Sequence, residues 1–83
     1  MDSKLIDLII LTPEKVYFKG KVTKVSFPGT KGRFMVLPKH AALISSLTAG
    51  NITYSANEQE YTVLIKSGFV EVKNNTVSAC IEL

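Results

Sequence analysis

The sequence predicts an all-β fold, a two-sheet antiparallel β-sandwich of about eight or more short strands. Three observations carry that expectation. Turn-forming residues recur at short intervals, and the stretches between them alternate apolar and polar side chains with a period of two. No stretch carries the pattern of a long amphipathic helix.

The elements follow in order. An apolar run from Leu5 to Leu11, broken by Asp7, reads as the first strand. Thr12-Pro13-Glu14 ends it, because proline has no N–H for a ladder and restricts the residue before it. Residues 15–18 form a short strand closed by Lys19-Gly20, and residues 21–27 the next. In that strand Thr23, Val25 and Phe27 share one face, while Val22, Lys24 and Ser26 share the other. Pro28-Gly29 and Thr30-Lys31-Gly32 make a tight loop into residues 33–37. There Phe34 and Val36 face one way and Met35 and Leu37 the other, so the strand is expected to be covered on both sides.

Pro38-Lys39-His40 breaks the run. Residues 41–47 are ambiguous: Leu43, Ile44 and Leu47 have helical spacing, but seven residues are few for a helix standing alone. A short helical turn and a strand across the end of the sandwich both fit. After Thr48-Ala49-Gly50, residues 51–55 and 60–65 flank a four-residue hairpin loop, residues 56–59. Lys66-Ser67-Gly68 leads into residues 69–73, Asn74-Asn75 turns the chain, and residues 76–82 place Val77, Ala79 and Ile81 on one face. No linker or repeat divides residues 1–83, which read as one domain.

Composition narrows the function. With 83 residues and 46% apolar content, nearly every apolar side chain is needed for a thin core, which leaves little chain for a substrate pocket. The only cysteine, Cys80, excludes an intrachain disulfide, and a small domain without one points to a reducing compartment or to support from a partner. The first apolar run is too short to span a bilayer and lacks a cleavage pattern, so the chain reads as soluble, reaching a membrane only through another protein. Asn51-Ile52-Thr53 and Asn74-Asn75-Thr76 match the glycosylation pattern, which is empty without a secretory signal. Residues 1–41 hold eight basic and three acidic side chains, and residues 42–83 two basic and four acidic. The basic first half either steers association with an acidic partner or is a solvated, lysine-rich surface.

Catalytic and cofactor chemistry lacks its parts. His40 is the only imidazole and Cys80 the only thiol, forty residues apart, and a strand thiol is more often a packed side chain than a nucleophile. One histidine and one cysteine cannot make a structural zinc site. Gly29, Lys31 and Gly32 lack P-loop spacing and run on into a strand rather than a helix. No cofactor, metal or catalytic residue is therefore expected. Nucleic-acid binding by an oligonucleotide-type barrel would need exposed aromatics in a basic groove. The phenylalanines mostly read as core, only Tyr17, Tyr54 and Tyr61 read as surface platforms, and the lysines do not gather around them.

The stretch from Phe27-Pro28-Gly29 through Gly32-Arg33-Phe34-Met35-Val36-Leu37-Pro38-Lys39-His40-Ala41 to Leu43 resembles the signature of the epsilon subunit of F-type ATP synthases, called delta in mitochondria. The opening Ile10-Leu11-Thr12-Pro13-Glu14 with Phe18-Lys19-Gly20, Gly50, Gly68-Phe69-Val70-Glu71-Val72 and Asn75-Thr76-Val77 are similar in place and order, so the likeness covers nearly the whole chain. It implies a non-catalytic rotor subunit of the central stalk, peripheral to the cytoplasmic face of the bacterial plasma membrane. Its implied partners are the gamma subunit and the ring of c subunits, and its role is coupling proton or sodium transport to ATP synthesis.

By the same resemblance, Gly29, Thr30, Lys31, Gly32 and Arg33 match the ring-facing loop, and Pro38, Lys39, His40 and Ala41 the segment near gamma. His40 either caps a nearby backbone group or bonds to gamma. The sequence departs from the family where Arg33, Phe34 and Met35 replace the usual acid, leucine and glycine, and where Ala42 replaces a common proline. The family usually continues with two helices, and this sequence ends at Leu83, as a short subunit or a truncated one. The chain alone is expected neither to brake hydrolysis strongly nor to bind ATP. The alternative is a free-standing basic β module that binds nucleic acid or an acidic protein.

Overall fold

A computed structural model describes residues 4–83. Nine strands occupy them: β1 Ile6–Leu11, β2 Val16–Val22, β3 Lys24–Gly29, β4 Gly32–Val36, β5 Leu43–Leu47, β6 Gly50–Ala56, β7 Gln59–Ile65, β8 Ser67–Lys73 and β9 Thr76–Glu82. No helix is present among the described residues. Hydrogen bonding runs β2-β1-β9-β8-β5-β3-β6-β7, with β4 on the other edge of β3. A single residue pair, Gly29 with Leu47, joins β5 to β3. The path therefore folds into two layers, β2-β1-β9-β8-β5 and β4-β3-β6-β7, and the expected all-β class holds.

Alternation builds the core between the layers. Ile6, Leu8 and Ile10 of β1, Val70 and Val72 of β8, and Val77, Ala79 and Ile81 of β9 are buried from one side. Val25, Phe27, Val36, Ile52, Tyr54, Val63 and Ile65 meet them from the other. No polar or charged side chain is buried among the described residues, so apolar burial holds the layers together without internal ion pairs. Aromatic rings close one flank: Phe18 lies 4.5 Å from Tyr54, and Tyr54 stacks on Tyr61 at 5.4 Å.

Several local expectations change. One ladder is parallel: β1 runs beside β9, from Asp7 opposite Thr76 to Leu11 opposite Cys80, with the whole intervening chain as crossover. Lys19-Gly20 lies inside β2, where Gly20 pairs with Leu8 and leaves room for the Phe18 ring. The break falls instead at Thr23, whose N–H donates to the Ser55 carbonyl at 2.9 Å. That break resets the alternation, so Val22 and Val25 are both buried. Residues 41–47 resolve as the strand β5, paired with β8 from Leu43 opposite Val72 to Leu47 opposite Gly68. The β6–β7 hairpin closes at Ala56 and Gln59 around Asn57 and Glu58 alone, with φ of 54° and 64°. Strand β4 is covered on one face only: Val36 is buried, while Met35 and Leu37 are half exposed.

Candidate docking surface

The loop at residues 29–33 is held by backbone geometry. Gly29 pairs with Gly32, so Thr30 and Lys31 form the tip. A Cβ on Gly29 would stand 2.7 Å from the Gly32 carbonyl oxygen and 2.9 Å from the Phe34 ring, so no larger residue fits that turn without movement. Gly32 has φ of 126°, where side chains are rarely tolerated. The Thr30 N–H donates to Ser46 O at 3.1 Å and the Thr48 N–H to Pro28 O at 2.8 Å, which ties the loop to β5. Between loop and strand lies a groove of about 530 Å³ lined by Lys31, Arg33, Ile44 and Ser46.

The two cations of the loop take different directions. Lys31 is exposed at the tip. Arg33 turns back over the sheet, where its Nη2 donates to Ser26 Oγ at 2.9 Å and Thr53 Oγ1 at 3.4 Å. The guanidinium thus spans β3 and β6, and the tip presents the lysine.

Residues 38–41 lie at the far end of β4 from this loop, roughly 16 Å away for five residues at ~3.3 Å each. The two groups expected from sequence are therefore not brought together. His40 is half-buried, its N–H donates to Leu37 O at 3.2 Å, and its Nδ1 lies 2.7 Å from Ala41 O. That contact makes Nδ1 the protonated nitrogen, donating to the carbonyl. Lys39 adopts φ of 66°, and its N–H donates to Asn75 Oδ1 at 2.8 Å. The Asn75 Nδ2 in turn donates to Leu5 O at 2.7 Å, and its own carbonyl accepts from the Asp7 N–H at 3.2 Å. One asparagine thus fastens the 38–41 segment to the start of β1. The sequence marks Asn75 as a turn residue and as part of the family-like Asn75-Thr76-Val77, not as a bridge, since nothing local signals a partner thirty-six positions away.

The layer β2-β1-β9-β8-β5 carries an unexpected outer surface. Residues directly opposite across ladders share a face, which aligns Ser46, Phe69, Cys80, Leu11 and Val16 in one row. Ile44, Glu71, Ser78, Ile9 and Lys19 make the next. Ile44 is 75% exposed, Phe69 53% and Val16 52%, with the half-buried Cys80 and Leu11 between the last two, on a face open to solvent. The outer face of the second layer is richer in hydroxyls, with Ser26, Thr53, Ser55 and Thr62 beside Met35 and Leu64. Phe69 thus departs from the phenylalanines that mostly read as core, lying on the exposed face with Glu71, whereas Tyr54, expected as a surface platform, is buried.

Beside this face, Lys21 Nζ lies 2.7 Å from Asp7 Oδ1, with both side chains more than half exposed, a pair of small energetic weight. Cys80 projects from the outer row of β9 and His40 precedes β5, about six residue levels or ~20 Å apart along the strands. That separation removes the sequence option of a histidine–cysteine pair. Among the described residues no three metal-binding side chains converge, and no helix is long and apolar enough to cross a membrane.

A family model for the ATP synthase, Delta/Epsilon chain, beta-sandwich domain matches residues 5–82. The chain is 37% identical to the ATP synthase epsilon chain of Leptospira borgpetersenii serovar Hardjo-bovis, over 88% of this chain and 58% of that protein. It is 41% identical to that of Nitratiruptor sp., over 93% and 60%. The chain therefore spans less than two thirds of these relatives. Among solved structures it is similar to a chain of the Euglena gracilis mitochondrial ATP synthase, OSCP/F1/c-ring, with TM-score 0.88 and 17% identity, covering 94% of this chain and 51% of that one. A chain from the central stalk and c-ring of the Tetrahymena thermophila enzyme gives TM-score 0.79 at 14% identity, covering 100% and 67%.

Proposed function

Since the chain belongs to the β-sandwich family of ATP synthase delta and epsilon chains, we propose that it is a non-catalytic rotor subunit of the central stalk. It docks on the gamma subunit and on the c ring, peripheral to the cytoplasmic face of a bacterial plasma membrane, and carries torque between them. The observation that carries this reading is the apolar outer face of Ile44, Phe69, Leu11 and Val16, on a domain whose core is already complete. An exposed area of this kind on a rigid sheet suits a permanent protein partner. In this reading the face and the neighbouring segment Pro38, Lys39, His40 and Ala41 meet gamma. The loop Gly29, Thr30, Lys31, Gly32 and Arg33, at the opposite end of β4, meets the ring with Lys31 foremost. The separation of the two segments supports simultaneous contact with two partners.

Mixing the chain with isolated gamma subunit tests the proposal. Sizing with mass measurement is expected to give a one-to-one complex. Phe69→Ser should weaken it about tenfold or more while changing stability by only ~0.5 kcal/mol, because the ring is half exposed. No complex at low salt and high concentration, or a complex indifferent to Phe69→Ser, Ile44→Ser and Val16→Ser together, would remove this reading.

A further inference from the structure

We infer that the free edge of β7 is a pairing surface for a second copy of this chain, joining two sandwiches through an antiparallel β7–β7 ladder. Strand β7 ends the hydrogen-bonded path and pairs only with β6. Which of its backbone groups remain open follows from the hairpin. A two-residue loop closes on a doubly bonded pair, so Gln59, Tyr61, Val63 and Ile65 bond to β6, and the residues between them do not. The far side of β6 agrees: the Ser55 carbonyl, opposite Glu60, accepts from Thr23 and so points away from β7. Glu60, Thr62 and Leu64 therefore turn their N–H and C=O groups outward, and all three side chains are exposed.

Natural edges are commonly guarded by lysine, proline, a bulge or short length. The opposite edge of the path, β2, has Lys19 and Lys21 and meets β1 across a register shift at Ile10 and Leu11. Strand β4 has five residues. Strand β7 has seven, no lysine or proline, an unbroken register from Gly50 to Ala56 on its partner, and Leu64 at 72% exposure. It is the least guarded of these edges, with Glu60 its one charged residue.

The occupant follows from register. A two-fold axis through Thr62 sets Thr62 opposite Thr62 and Glu60 opposite Leu64, so every outward group on both strands is used. Cross-strand threonine pairs are favourable, and the Leu64 side chain lies on the aliphatic stem of Glu60. Continued one position past each end of β7, the same register sets Glu58 in the turn of one copy toward Lys66 of the other, twice, within reach of two long side chains. Centring on Glu60 instead would oppose two carboxylates, and like charges across a ladder are destabilising. The strand is thus complementary to itself in one register, as an isologous contact requires.

Sedimentation of the 83-residue chain over a range of concentrations tests this. A monomer–dimer equilibrium is expected, with the amides of Glu60, Thr62 and Leu64 protected from hydrogen exchange in concentrated but not dilute solution. Thr62→Pro removes an outward N–H and should abolish the dimer. Glu58→Lys should weaken it about tenfold, and Glu58→Lys with Lys66→Glu should restore it, a reversal that a folding defect would not produce. A chain monomeric at all concentrations, or a dimer unmoved by these changes, would overturn the inference. Gamma binding through the other layer is a separate measurement, so the two readings fail independently.

Discussion

Asn75 does more for the candidate surface than any residue singled out from sequence. Its amide accepts from Lys39 and donates to Leu5, so both ends of one side chain are used across three segments. Its φ of 60° is one that asparagine tolerates and alanine does not. Asn75→Ala should lower unfolding free energy in denaturant by about 2 kcal/mol, from a lost bridge plus backbone strain. It should also speed hydrogen exchange at the Lys39 amide more than elsewhere. Tyr54 gives a pH test. Burial disfavours its phenolate and Tyr17 and Tyr61 oppose the charge, so its pKa lies above the ordinary value. A raised folded pKa leaves stability constant below the unfolded value of about 10 and lowers it above, where the unfolded chain ionises first. Urea unfolding should show that alkaline decline reduced in Tyr54→Phe. The importance of Phe69, Tyr54 and Asn75 was hard to read because each depends on which strand lies opposite, and residue type alone gives only a preference.

Strands fared better than their joints. Alternation located β1, β6, β7, β8 and β9 within a residue or two, because each buries one face and exposes the other. It failed where parity changes. The bend at Thr23 carries no glycine or proline, and Lys19-Gly20 imitates a turn while Gly20 serves to admit the Phe18 ring. Segment 41–47 was ambiguous because seven residues fit two periods, and pairing with β8 decided it. The loop between β6 and β7 was read as four residues because Glu58 is a poor marker for a left-handed position. Both Asn57 and Glu58 have positive φ, where Asn-Gly is the preferred pair. Glu58→Gly should therefore stabilise the monomer by about 0.5–1 kcal/mol, read as a higher denaturant midpoint with unchanged slope.

The assembly of strands into one body was the least legible level. Nothing in residues 6–11 or 76–82 announces that they run parallel, since that pairing is fixed by where the layers bring the two ends of the chain. Its consequence is that β9, last in sequence, is internal in space, bonded to β1 on one edge and β8 on the other. Removing residues 76–83 would expose the surfaces that Val77, Ala79 and Ile81 cover and would leave the β1–β2 hairpin without a hydrogen-bonded neighbour. The lost burial is about 5 kcal/mol, against roughly 4–12 kcal/mol for a whole domain of this size. The shortened chain should lose its dispersed amide spectrum and cooperative melt. Adding residues 76–83 back as a separate peptide should restore both, because the slot between β1 and β8 is defined by backbone groups on each side. Trimming an edge strand such as β4 should instead leave a cooperative fold of lower stability. If the chain without β9 still unfolded cooperatively, the β1–β9 ladder would not be what holds the first layer together.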